Sequence, residues 1–179
     1  MRPVPPPMPT QRPSLPLLLA LAVGGALHPQ SSTSPRPEYE AKALVIRHLV
    51  NYITWPNAQD RPLHLGILGE NPFGERSSLF LQGTTRIAYW HPTSLLRDLE
   101  GCDIVFICAS ESYRLPEILA RLRGRPILTL SDTPGFAQRG VMINLVVVQD
   151  RITLEVNLVP LRQANLYLSS AVLSRAKVF

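Results

Sequence analysis

Three apolar runs of this 179-residue chain each stop on side chains able to do chemistry. "LHLGILG" runs into Glu70 and Asn71, "CDIVFICA" into Ser110 and Glu111, and "RPILTL" into Ser131 and Asp132. If the runs are parallel strands, these are the ends where open α/β sheets hold their ligands. Carboxylates and hydroxyls gathered there would suit a small polar molecule, with Glu70, Asn71, Ser110 and Ser131 as its lining. The same residue types are the ordinary makers of turns and helix caps. The turn-and-cap use is the simpler one. A small-molecule sensor or binding protein stands as the alternative.

Stronger chemistries lack their signatures. "GILGENPFG" occupies the place of a phosphate loop, but its spacing does not fit a dinucleotide fingerprint and no Lys-Ser/Thr pair follows. Pro72 also removes one of the N–H groups that would cradle an anion. Ser110 sits in "CASES", without the G-x-S-x-G elbow of a nucleophile. His28, His48, His64 and His91 are dispersed and make neither H-x-x-x-H nor H-E-x-x-H, so their spacing predicts no metal site. With no catalytic apparatus in view, the chain is read as a non-enzyme without a cofactor.

Charge narrows the partners. Sixteen of the 18 basic residues are arginine, and "ARLRGR" (120–125) is their one cluster. A solvated helix face explains this better than a nucleic-acid footprint, which needs a basic stripe with aromatics.

Ten of the 18 prolines precede Glu38, so the start is different material. Arg2 and Arg12, with no acidic residue, lead into an apolar run from Leu15 to Leu27, too short to span a bilayer. Gly24 and Ala26 make an A-x-A-like cleavage site. Residues 1–26 are expected to be a secretory signal peptide, 27–37 a flexible linker and 38–179 the folded domain. Losing the leader's two arginines takes the formal charge from +5 to +3.

Two cysteines in an exported chain raise the question of a disulfide. With Asp103–Ser110 as a strand, Cys102 and Cys108 stand about 20 Å apart, and a disulfide needs Cα atoms within about 7 Å. Cys108 reads as a small buried hydrophobe. Cys102 is left as a thiol or as one half of an inter-subunit bridge.

These residues need elements to position them. From Glu38 to Thr54 apolar residues recur with a helical period, and Pro56 ends the helix at Trp55. Trp55 is expected to plug the end of a helix–sheet core. The strand 62–69, a helix over 71–83 capped by Asn71, the strand 84–91 and a short helix after Thr93 follow. "CDIVFICAS" is apolar throughout and should be a central strand. A helix with Pro116 in its first turn and the strand "RPILTLSD" come next. "VMINLVVVQDRITLEVNL" reads as a hairpin turning at 149–151, and "PLRQANLYLSSAVLSRAKV" as one closing helix. The order α-β-α-β-α-β-α-β-β-β-α predicts an α/β fold. It would be a single three-layer domain with a mostly parallel sheet, a C-terminal antiparallel hairpin and a closing helix.

Several segments in this order resemble one family. "YITWP", "LHLGILG", "NPFG", "GCDIVFICAS", "GRPILTLSDTPGFAQRGVMINLVV", "ITLEVNL" and "SSAVLSRAKV" are similar to the YfiR family over roughly 38–178. The resemblance implies a periplasmic, non-enzymatic α/β regulator. Such proteins engage the periplasmic sensory domain of a membrane diguanylate cyclase, lowering cyclic di-GMP and biofilm formation. It also implies homodimers and release by an outer-membrane lipoprotein. Some members carry stabilising disulfides. Here Cys102 keeps a family cysteine, while the partner place in the first strand holds Gly66.

A regulator of this kind needs no active site, only a surface that binds one state of its partner better than the other. The expected partner-binding residues are Glu155 and Asn157 in "LEVNL", which alternation places on one face of a strand, with Arg162 and Tyr167 on the closing helix. Glu155 and Asn157 fit equally well as sheet-face residues bonded to a neighbouring loop and helix.

Overall fold

The computed structural model describes residues 36–56 and 61–179. The expected leader and all but the last two residues of the expected linker lie outside them; Arg36 and Pro37 open helix α1 (Arg36–Leu49). The helix tightens into a 3-10 turn (Val50–Tyr52) and runs straight into strand β1 (Ile53–Thr54), so it ends earlier than its period suggests.

The main sheet has seven strands. In chain order they are β2 (Leu63–Leu68), β3 (Ile87–Thr93), β4 (Ile104–Ile107), β5 (Leu128–Ser131), β6 (Ile143–Val148), β7 (Arg151–Val156) and β9 (Lys177–Val178). Their spatial order is β3-β2-β4-β5-β6-β7-β9. Pairing is parallel from β3 across to β6, and β6–β7 is the antiparallel hairpin. Its turn places Gln149 and Asp150 at φ 49° and 59°, both left-handed as a two-residue hairpin turn requires. A separate ribbon pairs β1 with β8 (Tyr167–Leu168).

Strand β4 shows why layers form on both faces. All four of its side chains are buried. Ile104 and Phe106 enter one apolar cluster with α1, Val105 and Ile107 another with α2 (Leu115–Leu122). Alternation sends neighbours to opposite faces, so a strand apolar throughout must be covered twice. Pro116 falls at the start of α2, where its missing N–H costs no helix bond.

Trp55 is 1% exposed and belongs to the cluster with α1, with the Arg86 guanidinium over its ring. The expected helix over 71–83 is a 3-10 segment, Gly74–Leu81. Asn71 acts just before it, its Oδ1 accepting from Phe73 N–H at 2.9 Å. Phe73 then packs edge-on against Phe80, Phe106 and Tyr39 with centroids 4.9–5.4 Å apart, the favoured aromatic geometry. After Thr93, Leu96–Gly101 is again 3-10.

The closing segment differs most from expectation. It is two short helices, α3 (Leu158–Gln163) and α4 (Ser170–Leu173), with β8 between them and β9 after. Asn165 adopts φ 55°. Asn165 N–H bonds to Arg162 O and Leu166 N–H to Leu161 O, a Schellman end with buried Leu161 and Leu166 flanking it. The helical period of "LRQANLYL" was real for one turn and a half and was then overridden by this cap.

Candidate functional site

Two regions carry the polar residues singled out by sequence. The first is the C-terminal end of β2, β4 and β5. Ser110 Oγ accepts from Glu70 N–H at 2.9 Å. Asn71 bonds to Phe73 and, through Nδ2, to Ser77 Oγ at 3.0 Å. Buried Ser131 donates to Ile107 O at 2.7 Å and accepts from Thr133 N–H. The backbone of Glu70 and the side chains of Asn71, Ser110 and Ser131 are thus tied into turns and strand ends, while the Glu70 side chain is exposed. An open groove of about 600 Å³ lies elsewhere, between α2 and α3, and none of the four lines it.

Beside those strand ends lies a charged set that sequence reading missed. Lys42, although a charged residue on α1, is 3% exposed. Its ammonium contacts Glu38, donates to Asp132 Oδ2 at 2.8 Å and lies 4.6 Å from the Tyr39 ring centre. Burial, followed by the charge of Asp132, pushes the Tyr39 phenol well above its ordinary range. Burial pushes the Cys108 thiol up to about 12, with Asp132, Glu111 and Glu70 adding to the effect. Glu111 is buried against Arg114 at 3.3 Å. Through Lys42, bridged to both Glu38 and Asp132, the set holds α1 on the sheet.

The second region is the C-terminal edge. Glu155 is buried in β7, takes the Lys177 ammonium of β9 at 3.2 Å and lies 3.4 Å from Asn144 Nδ2. Asn157 caps α3: its Oδ1 accepts from Val159 N–H at 3.1 Å and its Nδ2 donates to Ala137 O at 2.9 Å. The geometry puts both to internal use. Arg162 is exposed on α3. Tyr167 is 61% exposed, not on a helix but on β8, opposite Thr54 of β1. Tyr52, two residues before Thr54, is 51% exposed.

A third cluster had no sequence signal. His64 on β2, His91 on β3 and Cys102 after the 3-10 turn bring one donor atom each to within 4.8 Å of one another. His64 lies 27 residues from His91, so only the register of two neighbouring strands joins them. Both cysteines are free and buried. Burial, followed by the proximity of His91, lowers the His64 pKa. The Cys102 thiol is pushed up to about 11, mainly by burial and then by Asp103.

The fold is a parallel-core α/β sheet covered on both faces, with an aromatic edge left exposed. The chain belongs to the YfiR/HmsC-like family (DUF4154), whose model it matches over residues 39–177. That family is one of periplasmic proteins with regulatory rather than catalytic roles. No curated protein matches the chain significantly. Among solved structures, it is similar to the ABC domain in complex with L-Trp from Streptococcus pneumonia, at 8% identity and TM-score 0.57. It is also similar to a conserved domain protein from Vibrio cholerae, at 11% identity and TM-score 0.55. Each match covers 78% of this chain and 59% of the other, so the likeness is one of fold. Among the described residues no helix is long and apolar enough to cross a membrane.

Proposed function

We propose that the protein is a non-enzymatic periplasmic regulator that represses a membrane diguanylate cyclase by binding its periplasmic sensory domain, lowering cyclic di-GMP and with it biofilm formation. The observation that carries this reading is the family match across nearly the whole folded domain. In this reading residues 1–26 direct export and are removed. An outer-membrane lipoprotein that competes for the same surface would release the cyclase, and a homodimer would present that surface twice.

Within this reading, Arg162 and Tyr167 make direct contact with the partner. Both are exposed, and Tyr167 shares its ribbon with exposed Tyr52. Tyrosine and arginine are the residue types that most often dominate such interfaces. Glu155 and Asn157 act at one remove, fixing β9 and the start of α3 on which that edge is built. Binding represses only if the site favours the inactive cyclase over the active one. The test is binding of the purified cyclase periplasmic domain to wild type, Tyr167→Ala and Arg162→Glu. A hot-spot residue should cost about 2 kcal/mol or more, roughly 30-fold in Kd. Unchanged affinity in both variants would remove this edge from the interface.

One observation favours a second reading, a small-molecule sensor. The groove between α2 and α3 is lined by Leu119, Met142 and Pro160 with Asn157 and Arg123 as polar groups, a mixture usual in ligand sites. Melting shifts on adding a ligand without any partner would favour it.

A further inference from the structure

The cluster of His64, His91 and Cys102 is not used by the reading above. Its parts come from three elements. His64 and Gly66 project from one face of β2, where His64 pairs with Tyr89 and Gly66 with His91 on β3. Cys102 reaches the same face from the end of the 3-10 turn Leu96–Gly101. It is 4% exposed, while both histidines are only partly covered.

The ring orientations are set by their surroundings. His64 Nδ1 lies 3.2 Å from Gly101 O. A carbonyl only accepts, so this bond needs the proton on Nδ1 and leaves the Nε2 lone pair turned inward. That Nε2 stands 2.6 Å from His91 Nδ1. Asp103 fixes the same residue from its backbone side, accepting from His64 N–H at 2.9 Å while Arg61 holds its carboxylate. A histidine that donates its outer N–H to a backbone carbonyl and aims the other nitrogen at a thiol and a second imidazole has the arrangement found behind metal ligands. Gly66 completes the cradle, because any side chain there would strike the sulfur: its Cβ would sit 2.7 Å from Cys102 Sγ and 3.8 Å from His91 Cε1.

We propose that His64 Nε2, His91 Nδ1 and Cys102 Sγ form a binding site for a borderline-soft divalent cation, Zn²⁺ foremost. One thiolate and two imidazoles suit Zn²⁺ far better than Mg²⁺ or Ca²⁺, which take oxygen ligands. Three protein ligands leave a fourth tetrahedral position for water or a donor brought by a partner. Binding converts the Cys102 thiol to thiolate, so one proton leaves per ion bound. His91 shifts its proton from Nδ1 to Nε2. The two rings part by roughly 0.7 Å to admit nitrogen–metal bonds of about 2.0–2.1 Å, a movement the edge strand β3 can supply. The ion would clamp β2, β3 and the turn before β4 together at the place where Gly66 leaves Cys102 without a disulfide.

The purified chain, stripped with chelator and kept reduced, is titrated with Zn²⁺ against a chromophoric competitor, and separately with Co²⁺. The account expects one ion per chain, release of one proton, and thiolate-to-cobalt charge-transfer absorption with tetrahedral visible bands. Affinity should fall at least 10-fold in His91→Gln and in Cys102→Ser and stay unchanged in the distant His48→Gln. Because Cys102→Ser alters a buried position, Gly66→Cys provides a second arm: once oxidised onto Cys102 it should lose Zn²⁺ binding. No stoichiometric binding by the wild type, or binding that survives both His91→Gln and the oxidised Gly66→Cys, would overturn the proposal.

Discussion

Gly66 and Cys102 face each other so closely that a Cβ on Gly66 would stand 3.8 Å from Cys102 Cβ. That is the separation of a natural disulfide. The family resemblance places a paired cysteine at Gly66, and the geometry agrees with that correspondence. Gly66→Cys should therefore oxidise onto Cys102 without moving β2. The chain-entropy account of a bridge gives roughly 2–4 kcal/mol of added stability. Thiol counting and denaturant unfolding, with and without reductant, check it; a variant that keeps all its thiols under mild oxidation would show that the two positions do not meet as described.

Trp55 offers a test of the core. It is 1% exposed at the junction of α1's last turn and β1. Trp55→Ala removes the largest buried side chain there, and truncations of this kind cost about 3–5 kcal/mol. Unfolding midpoints should fall accordingly. Lost partner binding with unchanged stability would instead make Trp55 a contact residue.

Cys108 gives the fold an alkaline dependence. Its thiol is raised from an ordinary 9.0 to about 12, burial first and then Asp132, Glu111 and Glu70 opposing the thiolate. The folded state therefore keeps a proton that the unfolded chain gives up. The contribution is fully present below pH 9 and is lost as pH rises toward 12. Its slope is roughly 1.4 kcal/mol per pH unit within that window. Tyr39 is raised in the same direction, so the comparison of wild type with Cys108→Ala isolates the thiol. Stability from pH 8 to 11 should decline less steeply in Cys108→Ala; identical slopes would contradict the assigned burial.

The layers were legible because their residues obey one period each. The apolar run of β4, the hairpin break at Gln149 and Asp150, and Pro116 at the start of α2 all hold in three dimensions. Lys42 was not legible, since its helical position suits solvent and only the placement of Asp132 explains its burial. The closing segment misled for a related reason. "LRQANLYL" has helical spacing, and the left-handed Asn165 that stops it is one of the few residue types able to adopt that conformation. The histidine pair is the clearest case of information absent from local sequence, because it exists through the β2–β3 register alone. The polar residues at the strand ends follow from the strand reading, yet their bonds to turns and carbonyls could be seen only once the loops were placed.

The central claim is that this chain restrains a diguanylate cyclase. The most direct measurement is cyclic di-GMP in cells that carry a membrane diguanylate cyclase with a periplasmic domain, compared with and without this protein. The account predicts that removing the protein raises cyclic di-GMP and that restoring it, but not Tyr167→Ala, brings the level back down. An unchanged level on removal, with the cyclase present and active, would contradict it.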